Sequence, residues 1–340
     1  ERLLGGVGRL LQVRQGAILH PLDGLQDGLV RHGRRIVEPS RDVVVSHVLD
    51  SRDVVAGIVA HPLLARIRPA LPPGAAAVGG LVRDTALGAP GGPDVDLVVE
   101  GSAARVADAI GRLLGCRVVH HPRFLTATVE LPGAEHVDVV TARTERYPSP
   151  GALPEVSPGS LRDDLRRRDF SINAVAVRFP DRASAELVDP HGGLADLATG
   201  TLARLHEDSF VEDPSRLVRG ARYAGRLDLL PDAPTQREAA EAGPGLDPRS
   251  ARVAGELRRL MDDPGAAGGT GFLRAWGVSW ITADARAAED WVRSVGEALA
   301  LPGAPSICAW PIHLAGVADP GAVAAMALPG WARAVAADAT

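Results

Sequence analysis

The chain has 340 residues, 46% of them hydrophobic and 23% charged, with a net charge of −5. These figures exclude a disordered polyelectrolyte and a chain too small to bury a core. They also exclude a global positive field that would gather nucleic acid, so any such binding must come from local patches. All 37 basic residues are Arg, which reads as coding bias before chemistry. No Met precedes Met261, so the natural start is expected to lie outside the sequence that begins at Glu1. Cys116 and Cys308 are the only cysteines and form no CxxC, which argues against a disulfide framework or a zinc site and points to a reducing cytoplasm. No charged-then-apolar leader opens the chain and no run of 18 apolar residues occurs, so neither export nor a membrane is expected.

Residues 1–70 read as an extension of uncertain status, with short apolar runs at 18–22 and 43–48. A helix is predicted over 54–70, where Ile58, Leu63, Leu64 and Ile67 form an apolar face. Pro72, Pro73 and Gly74 then break the chain. The apolar run 75–78 ends in Gly79-Gly80, a helix is expected at 82–87, and a Gly/Pro turn follows at 88–93. Strand 94–99, helix 102–114 and strands 117–120, 126–131 and 136–141 suggest a small mixed sheet covered on one face. Residues 144–159 hold four Pro and two Gly and read as a long, functional loop. Dense charge over 161–173 gives way to a strand at 174–179, and after Gly192-Gly193 the pattern is helical, with helices at 214–230 and 250–261 and Ala-rich segments beyond. The fold class is α+β: a head over 71–200, a helical neck over 201–265, and a short helical body over 266–340.

Asp94 and Asp96, one residue apart on a strand, send both carboxylates from one face of the sheet. Two such carboxylates repel unless neutralised, and a pair of divalent cations would do so while supporting phosphoryl transfer. Asp138, on the strand 136–141, can bring a third carboxylate to the same ions. A solvated sheet edge is the competing reading of the DxD. The preceding GGLVRD, Gly79 to Asp84, lets backbone N–H groups approach phosphate oxygens with Arg83 as a nearby cation. A plain strand-to-helix turn is the alternative; a dinucleotide loop would need a third glycine in GxGxxG spacing. Further on, Asp213 followed by Pro214 reads as a helix N-cap with Pro at the first position, and Arg216, Arg219 and Arg222 recur every three residues along that helix. Besides capping, Asp213 and Arg216 suit base reading. A carboxylate accepts from the amino group of cytosine or adenine and a guanidinium donates to the ring nitrogen, whereas guanine and uracil present the opposite pattern. Arg252 and Glu256 are expected to form an i,i+4 ion pair, and Trp276 and Trp280 to be core.

GGLVRD, DVDLVV, DVVTARTERY with PGALPEV, DLRRRDFSINA and EDPSRLVRGARYAGRL, in this order over residues 78–227, resemble the bacterial class II CCA tRNA nucleotidyltransferase and poly(A) polymerase family of the polymerase-β-like superfamily. The resemblance implies a polymerase-β-like head followed by helical neck and body. It implies that Gly79, Gly80 and Arg83 hold the triphosphate, that Asp94 and Asp96 bind Mg²⁺ with Asp138 as a further catalytic carboxylate, that Arg168 contacts the nucleotide and Asp169 its ribose, and that Asn173 fixes the turn. Asp213 and Arg216 would select CTP and ATP, with Arg219 and Arg222 at phosphate or base. The implied activity is addition of CMP and AMP to the tRNA 3′ end, with the acceptor stem as partner and no membrane or protein partner. An A-adding enzyme, a poly(A) polymerase and an inactive RNA-binding relative are the alternatives. Beyond residue 265 the chain is short for the family, and its Gly-rich and Ala-rich stretches match only loosely.

Overall fold

The computed structural model describes residues 48–89, 94–283, 285–299 and 309–339; the apolar run at 18–22, all but Val48 of the run at 43–48, and Cys308 lie outside the described residues. Helix α1 (Ser51–Ala60) starts where the Asp50 carboxylate accepts from Arg52 N (2.8 Å) and Asp53 N (2.9 Å). Helix α2 (Pro62–Ile67) follows at once. The single helix expected over 54–70 is therefore two, because Pro62 lacks the N–H needed to carry the first helix onward. Val54, Ile58, Leu63, Leu64 and Ile67 are buried in the same apolar core as the sheet that follows. Leu49 N donates to Ala86 O (2.8 Å), and the Arg68 guanidinium lies 3.9 Å from the Phe179 ring centroid. Residues 48–70 thus pack as part of the head.

The head is built on β1 (Ala75–Val78), α3 (Gly80–Ala86), β2 (Val95–Val99), α4 (Ala103–Leu114), β3 (Arg117–His121), β4 (Thr126–Glu130) and β5 (His136–Thr141), all near their expected places. Then come β6 (Arg143–Arg146), β7 (Glu155–Pro158), α5 (Leu161–Arg166), β8 (Ala176–Phe179), β9 (Glu186–Val188), α6 (Gly193–Ala198) and the short β10 (Thr201–Leu202). Seven strands form one mixed sheet in the order β3-β4-β5-β2-β1-β8-β9. The stretch expected as one long loop over 144–159 is a hairpin: β6 and β7 pair antiparallel, with Arg146 opposite Glu155, leaving only 147–154 as loop.

Side-chain alternation decides what each sheet face carries. In β2, Val95, Leu97 and Val99 enter the large core under α1, α2 and α4, while Val98 joins a smaller cluster with Ala76, Val78, Leu161 and Leu165 beneath α5. Asp96 shares the parity of Val98, and Asp138 that of Val140. The parallel register of β2 and β5 sets Asp96 directly beside Asp138.

The neck holds α7 (Ser209–Glu212), α8 (Ser215–Leu227), β11 (Leu230–Pro231), α9 (Ala233–Ala242), α10 (Ala251–Met261) and α11 (Ala266–Ala275). Helices α8 and α11 touch through glycine: a Cβ on Gly225 would stand 2.4 Å from Gly269 N and 2.5 Å from Gly265 O. The body comprises α12 (Ala285–Leu299), α13 (Trp310–Val317), α14 (Pro320–Ala325) and α15 (Gly330–Ala339). Trp276 and Trp280 are buried as expected, their indole N–H groups donating to Gln236 Oε1 and Leu246 O, each at 2.9 Å. Among the described residues no helix is long and apolar enough to cross a membrane.

Candidate active site

β1 ends at a turn that only glycine fills well. Gly79 has φ 70°, and a Cβ there would lie 3.2 Å from Arg168 Nη1 and 3.4 Å from Asp96 Oδ2. Asp96 and Asp138 stand side by side at this turn, and Asp138 Oδ1 accepts from Thr128 Oγ1 (2.5 Å). Asp94, at the strand entrance, is turned to His136: Nδ1 is 2.8 Å from Asp94 Oδ1 and Nε2 is 3.4 Å from Asp138 Oδ2. Burial pushes the Asp96 carboxyl above its ordinary range, with Asp138 and Asp94 adding to the rise against the pull of Arg168 and His136. Such a set of carboxylate oxygens suits a hard divalent cation such as Mg²⁺, which would relieve that repulsion. Asp94, Asp96 and Asp138 are the residues that would hold it, although among the described residues no three His, Cys, Asp or Glu side chains already converge on one point.

Opposite the turn, α5 and the 3₁₀ turn Ser171–Asn173 carry a chain of ion pairs. Arg168 Nη2 donates to the buried Asp164 (3.0 Å), Nη1 to Asn173 O (3.4 Å), and Nε is buried without a partner. Asp169 accepts from Asn173 Nδ2 (3.0 Å) and Arg219 Nη1 (3.1 Å). The Arg83 guanidinium is buried and donates to Asn173 Oδ1 (2.7 Å) and Asp84 Oδ1 (2.8 Å), so it braces this turn. Arg219 also donates to Glu256 Oε1 (2.7 Å), which takes Arg259 Nη1 as well (2.5 Å). Arg222 faces the neck, 3.9 Å from Glu256 Oε2 and 3.6 Å from Asp263 Oδ2.

The expected pairing of Arg252 with Glu256 does not form. Glu256 is buried toward α8, whereas Arg252 reaches the Asp213 carboxylate through Nη2 and Ala152 O through Nη1 (3.4 Å). Asp213 Oδ1 accepts from Ser215 N (3.1 Å) and Ser215 Oγ (2.5 Å), while the helix begins at Ser215 with Pro214 at its N-cap, one residue later than expected. Arg216 is buried, its Nε 4.0 Å from Asp213 Oδ2. Its Nη1 lies 3.1 Å from Ser209 Oγ and 3.0 Å from His206 Nε2, and its Nη2 donates to Arg167 O (3.0 Å) and Tyr147 Oη (3.4 Å).

These groups line a cleft of about 430 Å³. Of the residues singled out in the sequence, Gly79, Gly80, Asp96, Arg168, Asp169, Asp213, Arg216 and Arg219 line it, together with Asn173. Arg83, Arg222, Asp94 and Asp138 are not part of its lining. The lining also includes Phe124, Arg143, Glu145, Tyr147, Arg167 and Arg252, which sequence reasoning did not select. Glu145 gathers Arg143 Nη2 (2.8 Å), Arg167 Nη1 (2.8 Å) and Tyr147 Oη (2.9 Å), fastening the hairpin to α5. Burial and the neighbouring Glu145 push the Tyr147 hydroxyl up to about 12, so it remains a donor at working pH. The alternating charges of RTERY were the available signal.

Two stability results are expected from this network. Glu256→Ala leaves Arg219 with Asp169 alone and Arg222 with Asp263 alone and, discounted for the exposed Arg259, costs about 2–3 kcal/mol, seen as a lower Tm by calorimetry. Burial opposes ionisation of Glu145, Asp164, Asp169 and Glu256, but their arginine partners outweigh it and hold all four below the ordinary carboxylate range. Acids so lowered stabilise the fold above their unfolded values and lose that contribution as pH falls through the folded ones. The urea midpoint should therefore hold near neutrality and drop below about pH 4.

Residues 75–203 match the family described as the Poly A polymerase head domain. The chain is 42% identical over 207 residues to a CC-adding tRNA nucleotidyltransferase of Deinococcus radiodurans, covering 61% of this chain and 54% of that protein. It is 44% identical over 181 residues to an A-adding tRNA nucleotidyltransferase of Halalkalibacterium halodurans, covering 53% and 42%. The chain thus spans about half the length of these curated relatives. Among solved structures, a tRNA nucleotidyltransferase complexed with a primer tRNA and an incoming ATP analogue superposes with TM-score 0.62 at 28% identity, over 76% of this chain and 78% of that one.

Proposed function

We propose that this chain, built on a Poly A polymerase head domain, is a template-independent tRNA nucleotidyltransferase that adds CMP and AMP from CTP and ATP to the tRNA 3′ end. The observation that carries this reading is the pairing of Asp96 with Asp138 beside the Gly79 turn, with Gly79, Asp96, Asp213 and Arg216 lining one cleft. The relatives' names and the tRNA and ATP-analogue complex support the substrate class. The RNA 3′-hydroxyl would attack the α-phosphate in line and pyrophosphate would leave. Mg²⁺, when bound at Asp94 and Asp96, would supply charge stabilisation for that transfer. The Gly79 turn admits the phosphates close to the backbone, Arg168 offers its unpaired Nε beside them, and Asp169 is poised for the ribose. Asp213, held by Arg252, accepts from the base amino group while Arg216 donates to the ring nitrogen. Arg83 would act by fixing Asn173. The tRNA-processing relatives support a cytoplasmic setting for this activity.

A-only addition is a second reading, favoured by the A-adding relative at 44% identity. Incubating the protein with tRNA ending before CCA, or ending in CC, plus labelled CTP or ATP, and sizing the products tests both. Extension of the first substrate through three nucleotides supports CCA addition, extension of the CC-ended RNA alone supports A addition, long tails indicate a poly(A) polymerase, and no extension refutes the enzyme reading.

A further inference from the structure

The five phenylalanines divide unequally. Phe170, Phe179 and Phe210 are buried and Phe272 packs on the core, whereas Phe124 belongs to neither apolar cluster and lines the cleft, partly exposed. An aromatic ring outside the core needs something to hold it in place, and two devices do so. The following residue, Leu125, is in the left-handed region at φ 56°, a conformation that a residue bearing a Cβ adopts only when its surroundings impose it. Its N–H is taken by Pro122 O (3.2 Å) and its carbonyl by Thr141 N (2.9 Å). The Phe124 carbonyl in turn accepts from Arg143 Nη1, tying the turn between β3 and β4 to the hairpin.

We propose that Phe124 is the platform on which the 3′-terminal base of the RNA primer stacks. This rests on the nucleotidyltransferase reading and adds to it the seat of the second substrate. The position fits: β4 pairs Thr126 with Val140 and Thr128 with Asp138, so Phe124 lies four residues, at most about 13 Å of strand, from the residue opposite Asp138. One nucleoside spans that gap with side chains reaching in from both ends, which brings its 3′-hydroxyl toward the carboxylates. The chemistry fits as well. An incoming base must be chosen by polar groups, and those stand at Asp213 and Arg216. Phe124 offers only a π-face, which any terminal base can use. The other two aromatics of the lining are more heavily engaged, Tyr147 by hydrogen bonds with Glu145 and Arg216 and Tyr223 by two guanidinia, Arg222 (4.6 Å) and Arg83 (5.1 Å), whereas Phe124 meets one, Arg123. Beside the platform, the exposed Arg123 sits 5.6 Å from the ring and makes no ion pair among the described residues, so it is free to meet the last phosphodiester.

Initial rates with tRNA lacking CCA, and with the same RNA carrying an abasic 3′-terminal residue, test the assignment in wild type, Phe124→Ala and Phe124→Trp. Phe124→Ala should raise KM for RNA roughly ten-fold or more and leave KM for CTP and ATP unchanged. Phe124→Trp should restore it, and the abasic primer should penalise the wild type but not Phe124→Ala. An unchanged KM for RNA, a rise confined to the nucleotides, or an abasic penalty that persists in Phe124→Ala overturns the platform while leaving the transferase reading intact. A wild type that extends no RNA overturns both.

Discussion

Asp96→Asn is expected to lower nucleotide incorporation roughly a thousand-fold or more without unfolding the protein. The two halves of that result have one cause. Asp96 is half-buried next to Asp138 and near Asp94, and its carboxyl is pushed up by that burial and crowding. In the folded protein without a cation, the ionised form is therefore a cost, and a neutral amide of the same shape removes it. The same substitution takes away the central oxygen donor from the set that would hold the divalent ion, and with it several kcal/mol of charge stabilisation in the transfer step. A primer-extension assay beside a thermal melt separates the two. Unchanged extension would place the chemistry elsewhere, and a collapsed melting transition would make Asp96 a structural residue.

Asp213→Asn is the second large effect, expected as a loss of about a hundred-fold in the preference for CTP and ATP over UTP and GTP. A carboxylate presents acceptors only, so it repels the carbonyl oxygen of uracil or guanine; an amide can turn its NH₂ toward that oxygen and so admits all four bases. Asn also keeps an acceptor for Ser215 N, which limits the loss of the helix start. Selectivity should fall further than triphosphate affinity, because on the proposed reading the phosphates are met by the Gly79 turn and Arg168 and not by Asp213. Arg216 sharpens the expectation. Its terminal nitrogens already have partners, and the longest of those bonds, 3.4 Å to Tyr147, is the easiest for a base to displace. Competition among the four nucleotides on one primer reads the ratio directly, and a ratio equal to the wild type's would remove Asp213 from base selection.

The sheet was legible because its strands carry period-two apolar patterns: 94–99 and 136–141 could be placed from β-branched content alone. The β6–β7 hairpin was not, since Arg143–Arg146 is polar on both faces, Glu155–Pro158 has only Val156 as a strand former, and four prolines between 144 and 159 read as loop. Glycines and carboxylates near the turn were found because they are neighbours in sequence. Arg252 was misplaced for the opposite reason. The i,i+4 spacing to Glu256 suggests a local pair, yet each side chain is drawn to a different residue more than thirty positions earlier, Arg252 to Asp213 and Glu256 to Arg219. Phe124 had no signal at all, because it falls in the turn between the strands expected at 117–120 and 126–131, and nothing local shows what a turn residue faces.

The glycine contact between α8 and α11 has a consequence for working conditions. Helix α8 carries Arg216 and Arg219, and behind them Gly225 rests on Gly265 and Gly269 through main-chain atoms. Ionic strength screens attraction to a polyanion but leaves such a contact untouched. Grip on RNA should therefore slacken as salt rises, while the angle at which the base-reading residues enter the cleft stays set, so fidelity and affinity answer to different properties of the solvent.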